Sequence, residues 1–137
     1  MNFIFNNSIK ILLGLTLSII LFHICIIAKI IPYKIAWGGR LTNDTEMYVF
    51  ETFSLLINIF LCWILVMKGD LVKFKFSNKT VDTILWVFFG VFILNTIGNF
   101  FAKTNFENAL AILTGLLAIL IWCIEKKSNQ SLTSEIK

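Results

Sequence analysis

ILLGLTLSIILFHICIIA, residues 11–28, carries no formal charge while His23 is neutral, and it is bounded by Lys10 and Lys29. A helix needs about 20 apolar residues to cross the hydrocarbon core of a bilayer, a length this run reaches once its flanks are counted. A segment in hydrocarbon must satisfy its own backbone N–H and C=O groups, so the run is a helix rather than a strand. Its apolar core is longer than the roughly 7–15 residues of a secretory signal, and no Ala-x-Ala follows it. Phe22-His23-Ile24 before Cys25 also lacks the small residues of lipoprotein processing. The expectation is a retained first helix.

Working outward, three more runs repeat the pattern. Residues 52–67, 83–102 and 108–124 are free of formal charge, and the first of them extends back to Met47 if Glu51 is admitted. The expected helices are 9–31, 47–67, 81–102 and 106–124, with a polar tail over 125–137 that frays. Composition agrees: 58% of residues are hydrophobic and 15% charged, with a mean hydropathy of +0.85. Soluble domains carry about 25% charged residues. The fold class is therefore all-α, a single integral-membrane domain over 1–137 built as a four-helix bundle. The net charge of +4 does not point to nucleic acid, because the basic residues lie between apolar runs. Eleven of the 12 basic residues are Lys, and Asn and Ile are plentiful, a composition that reads as bacterial.

Charge sets the expected orientation. Lys10, Lys68, Lys73, Lys75, Lys79, Lys126, Lys127 and Lys137 fall on one side, against Lys29, Lys34, Arg40 and Lys103 on the other. The richer side belongs in the cytoplasm. That places the N- and C-termini inside and makes the chain a multi-pass protein of the bacterial inner membrane. Trp63, Trp86 and Trp122 then sit at the inner ends of their helices, and Tyr33, Trp37 and Tyr48 at the outer level, as two aromatic belts.

The outward side holds the candidate chemistry. The loop over residues 31–46 carries the only Pro (Pro32) and the only Arg (Arg40), and Gly38-Gly39 between Trp37 and Arg40 permits a tight turn or a close backbone approach. Glu51 lies just inside the second helix, followed at spacings of three and four by Ser54, Asn58 and Cys62 on one face. Asn95 and Asn99 share a face of the third helix, with Lys103 a turn further out. Glu107 and Asn108 open the fourth helix. His23 lies slightly outward of the middle of the first helix. Polar groups at membrane depth are costly and face a bundle interior or a wet cavity. Trp37, Arg40, Glu51, Asn58, Asn95, Asn99, Lys103 and His23 are thus the candidate ligand-binding residues, in an outward-opening pocket covered by the Trp37–Arg40 loop.

Each has a structural counterpart reading. The asparagines also serve as interhelical hydrogen-bond glue. Glu107 suits a helix N-terminus, with Thr104 placed as its cap. Lys29 and Lys34 reach the interface by snorkelling. Arg40 pairs with Asp44, Glu46 or Glu51 to tie the loop down. Glu51 needs a partner, for which Arg40 and Lys103 stand nearest by topology. His23 reads as a satisfied interhelical residue or as a proton carrier. Cys25, Cys62 and Cys123 lie singly inside apolar runs with no CxxC, so they read as small buried hydrophobes. No catalytic, metal-binding or cofactor-binding pattern appears, which ranks enzymatic activity last.

IPYKIAWGGRL over residues 31–41, EMYVFE over 46–51 and NTIGN over 95–99 resemble small four-span bacterial membrane proteins, a likeness that carries no activity with it. Better-defined families of this size do not fit. Small multidrug exporters place a carboxylate in the first helix, fluoride channels carry a Phe-Ser-Thr break in the third, and quinone-linked disulfide-forming enzymes need paired cysteines. The functional expectation is an inner-membrane protein that contacts the lipid bilayer and binds a small or lipidic ligand, or a partner membrane protein, at its outward face. The alternative is a small transporter or channel acting as a homodimer, with Glu51 or His23 as the titrating group.

Overall fold

A computed structural model describes residues 3–37, 40–73, 76–101 and 105–135 of the chain. The described residues form four helices: α1 (Phe3–Ile27), α2 (Asp44–Lys68), α3 (Asn78–Phe100) and α4 (Asn105–Glu135). One 3-10 turn, Tyr33–Ile35, lies in the α1–α2 loop. Each helix contains a stretch long and apolar enough to cross a membrane: Phe5–Ile27, Asp44–Lys68, Asn78–Phe100 and Asn105–Ser128. The all-α four-helix membrane bundle expected from the sequence is the fold.

Local chemistry sets where the helices start and stop. Asn43 caps α2, its side chain accepting from the Glu46 N–H at 2.9 Å, and Glu46 reaches back to the Thr42 N–H and hydroxyl, both at 2.9 Å. Ser77 caps α3 by accepting from the Thr80 N–H. These caps carry α2 and α3 three residues further back than the apolar runs alone imply.

α1 ends at Ile27 rather than 31. The Lys29 N–H donates to Ile26 O and the Ile30 N–H to Cys25 O, both at 2.9 Å, with Lys29 itself at φ 58°. This is the paired-bond terminus that usually uses glycine at the left-handed position. α2 closes the same way, Leu71 N–H to Val66 O and Asp70 N–H to Met67 O, with Asp70 at φ 55°. The segment read as a fraying tail is helical through Glu135. No Gly or Pro follows Gly115, so nothing in the sequence breaks the helix.

α3 packs most extensively on α4 and α1 on α2, while the α1–α4 and α2–α3 contacts are smaller. The bundle is thus two antiparallel hairpins, α1–α2 and α3–α4, set side by side. The main core lies in the half where α1 begins and α4 ends. Ile9 and Leu12, Leu61, Ile64 and Leu65, Val81 and Leu85, and Leu117, Ile121 and Ile124 meet there from all four helices. Packing is close at this end: a Cβ on Gly69 would stand 3.3 Å from Ile9 Cγ2. A second, smaller core of Ile26, Ala36, Leu41 and Met47 seats the α1–α2 loop on its own hairpin at the other end.

Candidate functional site

Glu51 lies two turns into α2 and has no exposed surface. His23 of α1 brings Nδ1 to 2.5 Å from Glu51 Oε2, and Trp37 of the loop donates its Nε1–H to Glu51 Oε1 at 2.9 Å. Both carboxylate oxygens are therefore held, one by each flanking element. The contact uses Nδ1 of His23, which leaves Nε2 on the side of the ring away from Glu51. Among the described residues Nε2 makes no hydrogen bond.

The partner expected for Glu51 was Arg40 or Lys103. Arg40 is instead exposed, its backbone N–H donating to Trp37 O at 3.2 Å, and Lys103 lies outside the described residues, as do Gly38, Gly39 and Thr104. The reason is geometric. The early end of α1 returns the chain against α2, so that His23 faces Glu51 across the hairpin and the loop folds down over both. Trp37 holds φ 54°, a left-handed conformation that a bulky side chain rarely adopts and that costs about 1–3 kcal/mol. Its indole is fixed by Glu51 and by the Phe50 ring, 5.1 Å away between centroids.

Lys29 ties the outer rim. Its Nζ is 2.5 Å from Asp44 Oδ2 and 5.7 Å from the centre of the Tyr48 ring. The hydrogen bond to Asp44 raises the Lys29 pKa above its ordinary value. Across the bundle, Phe22 meets Phe106 of α4 at 5.8 Å.

Around this dyad the buried stripes of α2 and α3 turn polar toward the loop end. The α3 stripe of Val81, Leu85, Phe88 and Phe92 is buried, but the same stripe continues with Asn95, exposed, and Asn99, half-buried. On α2, Leu65 and Leu61 are buried, and Asn58 and Ser54 above them are half-buried. Asn58 donates only to its own helix, at Ser54 O. The Asn95 and Asn99 side chains make no hydrogen bond among the described residues. The glue reading of the asparagines thus finds no interhelical bond here. That role falls to Thr96 and Thr114, whose hydroxyls meet at 2.9 Å between α3 and α4, opposite Gly115. Glu107 is buried in the first turn of α4, where the helix dipole favours it.

The opposite end holds a cluster the sequence reading missed. Lys68 Nζ lies 2.5 Å from Asp82 Oδ1, 3.0 Å from Glu125 Oε1 and 3.1 Å from Ser128 Oγ, joining α2, α3 and α4. The Glu125 side chain is 1% exposed. Its Oε1 faces Lys68 without hydrogen-bond alignment, so that contact is Coulombic, and its Oε2 has no partner among the described residues. The available signal was that Lys68, Asp82 and Glu125 each close an apolar run at the same end of the bundle.

Comparisons with protein families, curated proteins and solved structures find no match. The chemistry is therefore read from the residues alone. Among the described residues no three His, Cys, Asp or Glu side chains converge as a metal site would require, and Cys25, Cys62 and Cys123 are free and half-buried. The loop half offers an imidazole set against a carboxylate, an indole carried on a left-handed backbone position, and three amides with hydrogen-bonding capacity in reserve.

Proposed function

We propose that this multi-pass membrane protein binds a small or lipidic ligand in the loop half of its bundle. The observation that carries the reading is the polar continuation of two core stripes. Asn58, Asn95 and Asn99 continue the buried apolar stripes of α2 and α3, yet among the described residues none bonds across to another helix. Amides left this way within a membrane span are costly unless something else completes them. His23, Glu51 and Trp37 stand on the α1–α2 side of this region, Arg40 on the loop above it, and Lys103 is the remaining member of the set. The lysine excess at the other end orients the loop half away from the cytoplasm of a bacterial inner membrane.

Native mass spectrometry of the protein extracted in lipid nanodiscs tests this. The wild type is expected to carry a defined added mass, and Asn99→Leu and Glu51→Gln to lose it. Wild type free of any adduct, or an adduct indifferent to both substitutions, would refute the reading.

The His23–Glu51 contact favours one second reading, a homodimeric proton-coupled transporter in which that pair exchanges the proton. It requires proton flux in proteoliposomes that Glu51→Gln abolishes, and a dimer in the same mass spectrum.

A further inference from the structure

The cluster around Lys68 decides more than the join between helices. The acids of this end include Asp70, Asp82 and Glu125. Folding turns Asp82 and Glu125 inward onto Lys68, with side-chain exposures of 22% and 1%. Asp70, in the turn after α2, stays exposed. The lysines stay outside: Lys10 on α1, Lys73 in the α2–α3 connection, Lys79 on α3 and Lys126 on α4 are exposed, and Lys127 is half-buried. Four lysines thus stand exposed at this end, while Asp82 and Glu125 are drawn in toward Lys68, and the surface forms a predominantly basic collar.

The collar stands at a defined depth. Trp63, Trp86 and Trp122, on α2, α3 and α4, are 47%, 42% and 44% exposed. Measured along their helices from Lys68, Asp82 and Glu125, they lie about 5–8 Å toward the middle of the bundle, at 1.5 Å per residue. Three half-exposed indoles at one level mark the plane where hydrocarbon meets headgroups. Lys126 makes the register explicit, its Nζ sitting 4.8 Å from the centre of the Trp122 ring. Lysines just beyond such a plane are within reach of lipid phosphates, where each basic residue near an anionic surface contributes about 1 kcal/mol.

We propose that the collar of Lys10, Lys73, Lys79, Lys126 and Lys127 is a docking surface for anionic phospholipid headgroups of the adjoining leaflet. It is independent of the loop-half ligand, which lies at the other end of the bundle.

The experiment compares the whole chain in nanodiscs of phosphatidylcholine alone and mixed with phosphatidylglycerol, counting retained lipids by native mass spectrometry at low and high salt. Wild type retains phosphatidylglycerol in preference to phosphatidylcholine, and added salt erodes the preference. In the variant combining Lys10→Gln, Lys79→Gln, Lys126→Gln and Lys127→Gln the preference falls by at least about fivefold, the contribution of a single lysine. If that variant fails to reach the wild-type helical circular dichroism, the Lys126→Gln/Lys127→Gln double variant decides by the same criterion. Unchanged phosphatidylglycerol retention in the folded variant would overturn the proposal. Release of the retained lipid by inorganic phosphate at equal ionic strength would also overturn it, by assigning the lysines to a soluble anion.

Discussion

Glu51 persists without exposed surface at the start of a membrane span because both of its oxygens are held, by His23 and Trp37. A hydrogen bond to a charged group contributes about 1.5–3 kcal/mol, so Glu51→Gln should destabilise the protein by about that amount in denaturant titrations. His23→Gln acts on the same bond. The double variant should therefore fall short of the summed single losses by more than about 0.5 kcal/mol. Strict additivity would show that the two groups do not interact. The sequence marked Glu51 as needing a partner and placed His23 and Trp37 among the candidates. It did not pair them, because charge order along the chain favours the nearest cation, while the fold selects whatever the hairpin sets opposite.

At the scale of a helix, polar residues with the same apparent role separate into two kinds. Thr96 and Thr114 bond across α3 and α4; Asn95 and Asn99, on the same helix face region, bond nothing described. Interhelical hydrogen bonds in membranes contribute about 0.6 kcal/mol and at most about 2. Thr96→Val should lower the melting temperature in detergent and leave any bound mass in place. Asn99→Leu should hold or raise the melting temperature while the bound mass is lost. The reverse pattern would return the asparagines to a purely structural role. Helix existence was legible here from the apolar runs. The ends were not, since α1 stops at a left-handed lysine where glycine is usual, and α4 runs on into a polar segment whose Lys68 contacts lie on another helix.

For the whole molecule, the Lys68 cluster joins the two hairpins at one end. Lys68→Met leaves Asp82 and Glu125 without their cation, and breaking a buried pair in this way costs about 3–5 kcal/mol. Adding Asp82→Asn and Glu125→Leu should recover most of that loss. A Lys68→Met protein as stable as wild type would show that the cluster holds nothing together. Orientation is tested separately, in a background with Cys25, Cys62 and Cys123 replaced by Ser. A cysteine at Thr42 should react with a membrane-impermeant maleimide added outside intact cells, and one at Lys79 should react only after lysis. Labelling in the opposite order would invert the bundle and move the loop half to the cytoplasmic side.

The sequence by itself determined four spanning helices, because uninterrupted apolar runs in a bilayer have no other way to satisfy their backbone groups. It also determined that polarity gathers on the loop side, since Glu51, Asn58, Asn95 and Asn99 recur at helical spacing. Only the tertiary structure decided which of these groups meet. His23 and Glu51 are 28 residues apart, and Lys68 and Ser128 are 60 apart. Contacts at such separations depend on how helices rotate and cross, which small differences in packing settle and which no local pattern encodes. The same packing turned Asp82 and Glu125 inward onto Lys68 and left Lys10, Lys73, Lys79 and Lys126 exposed.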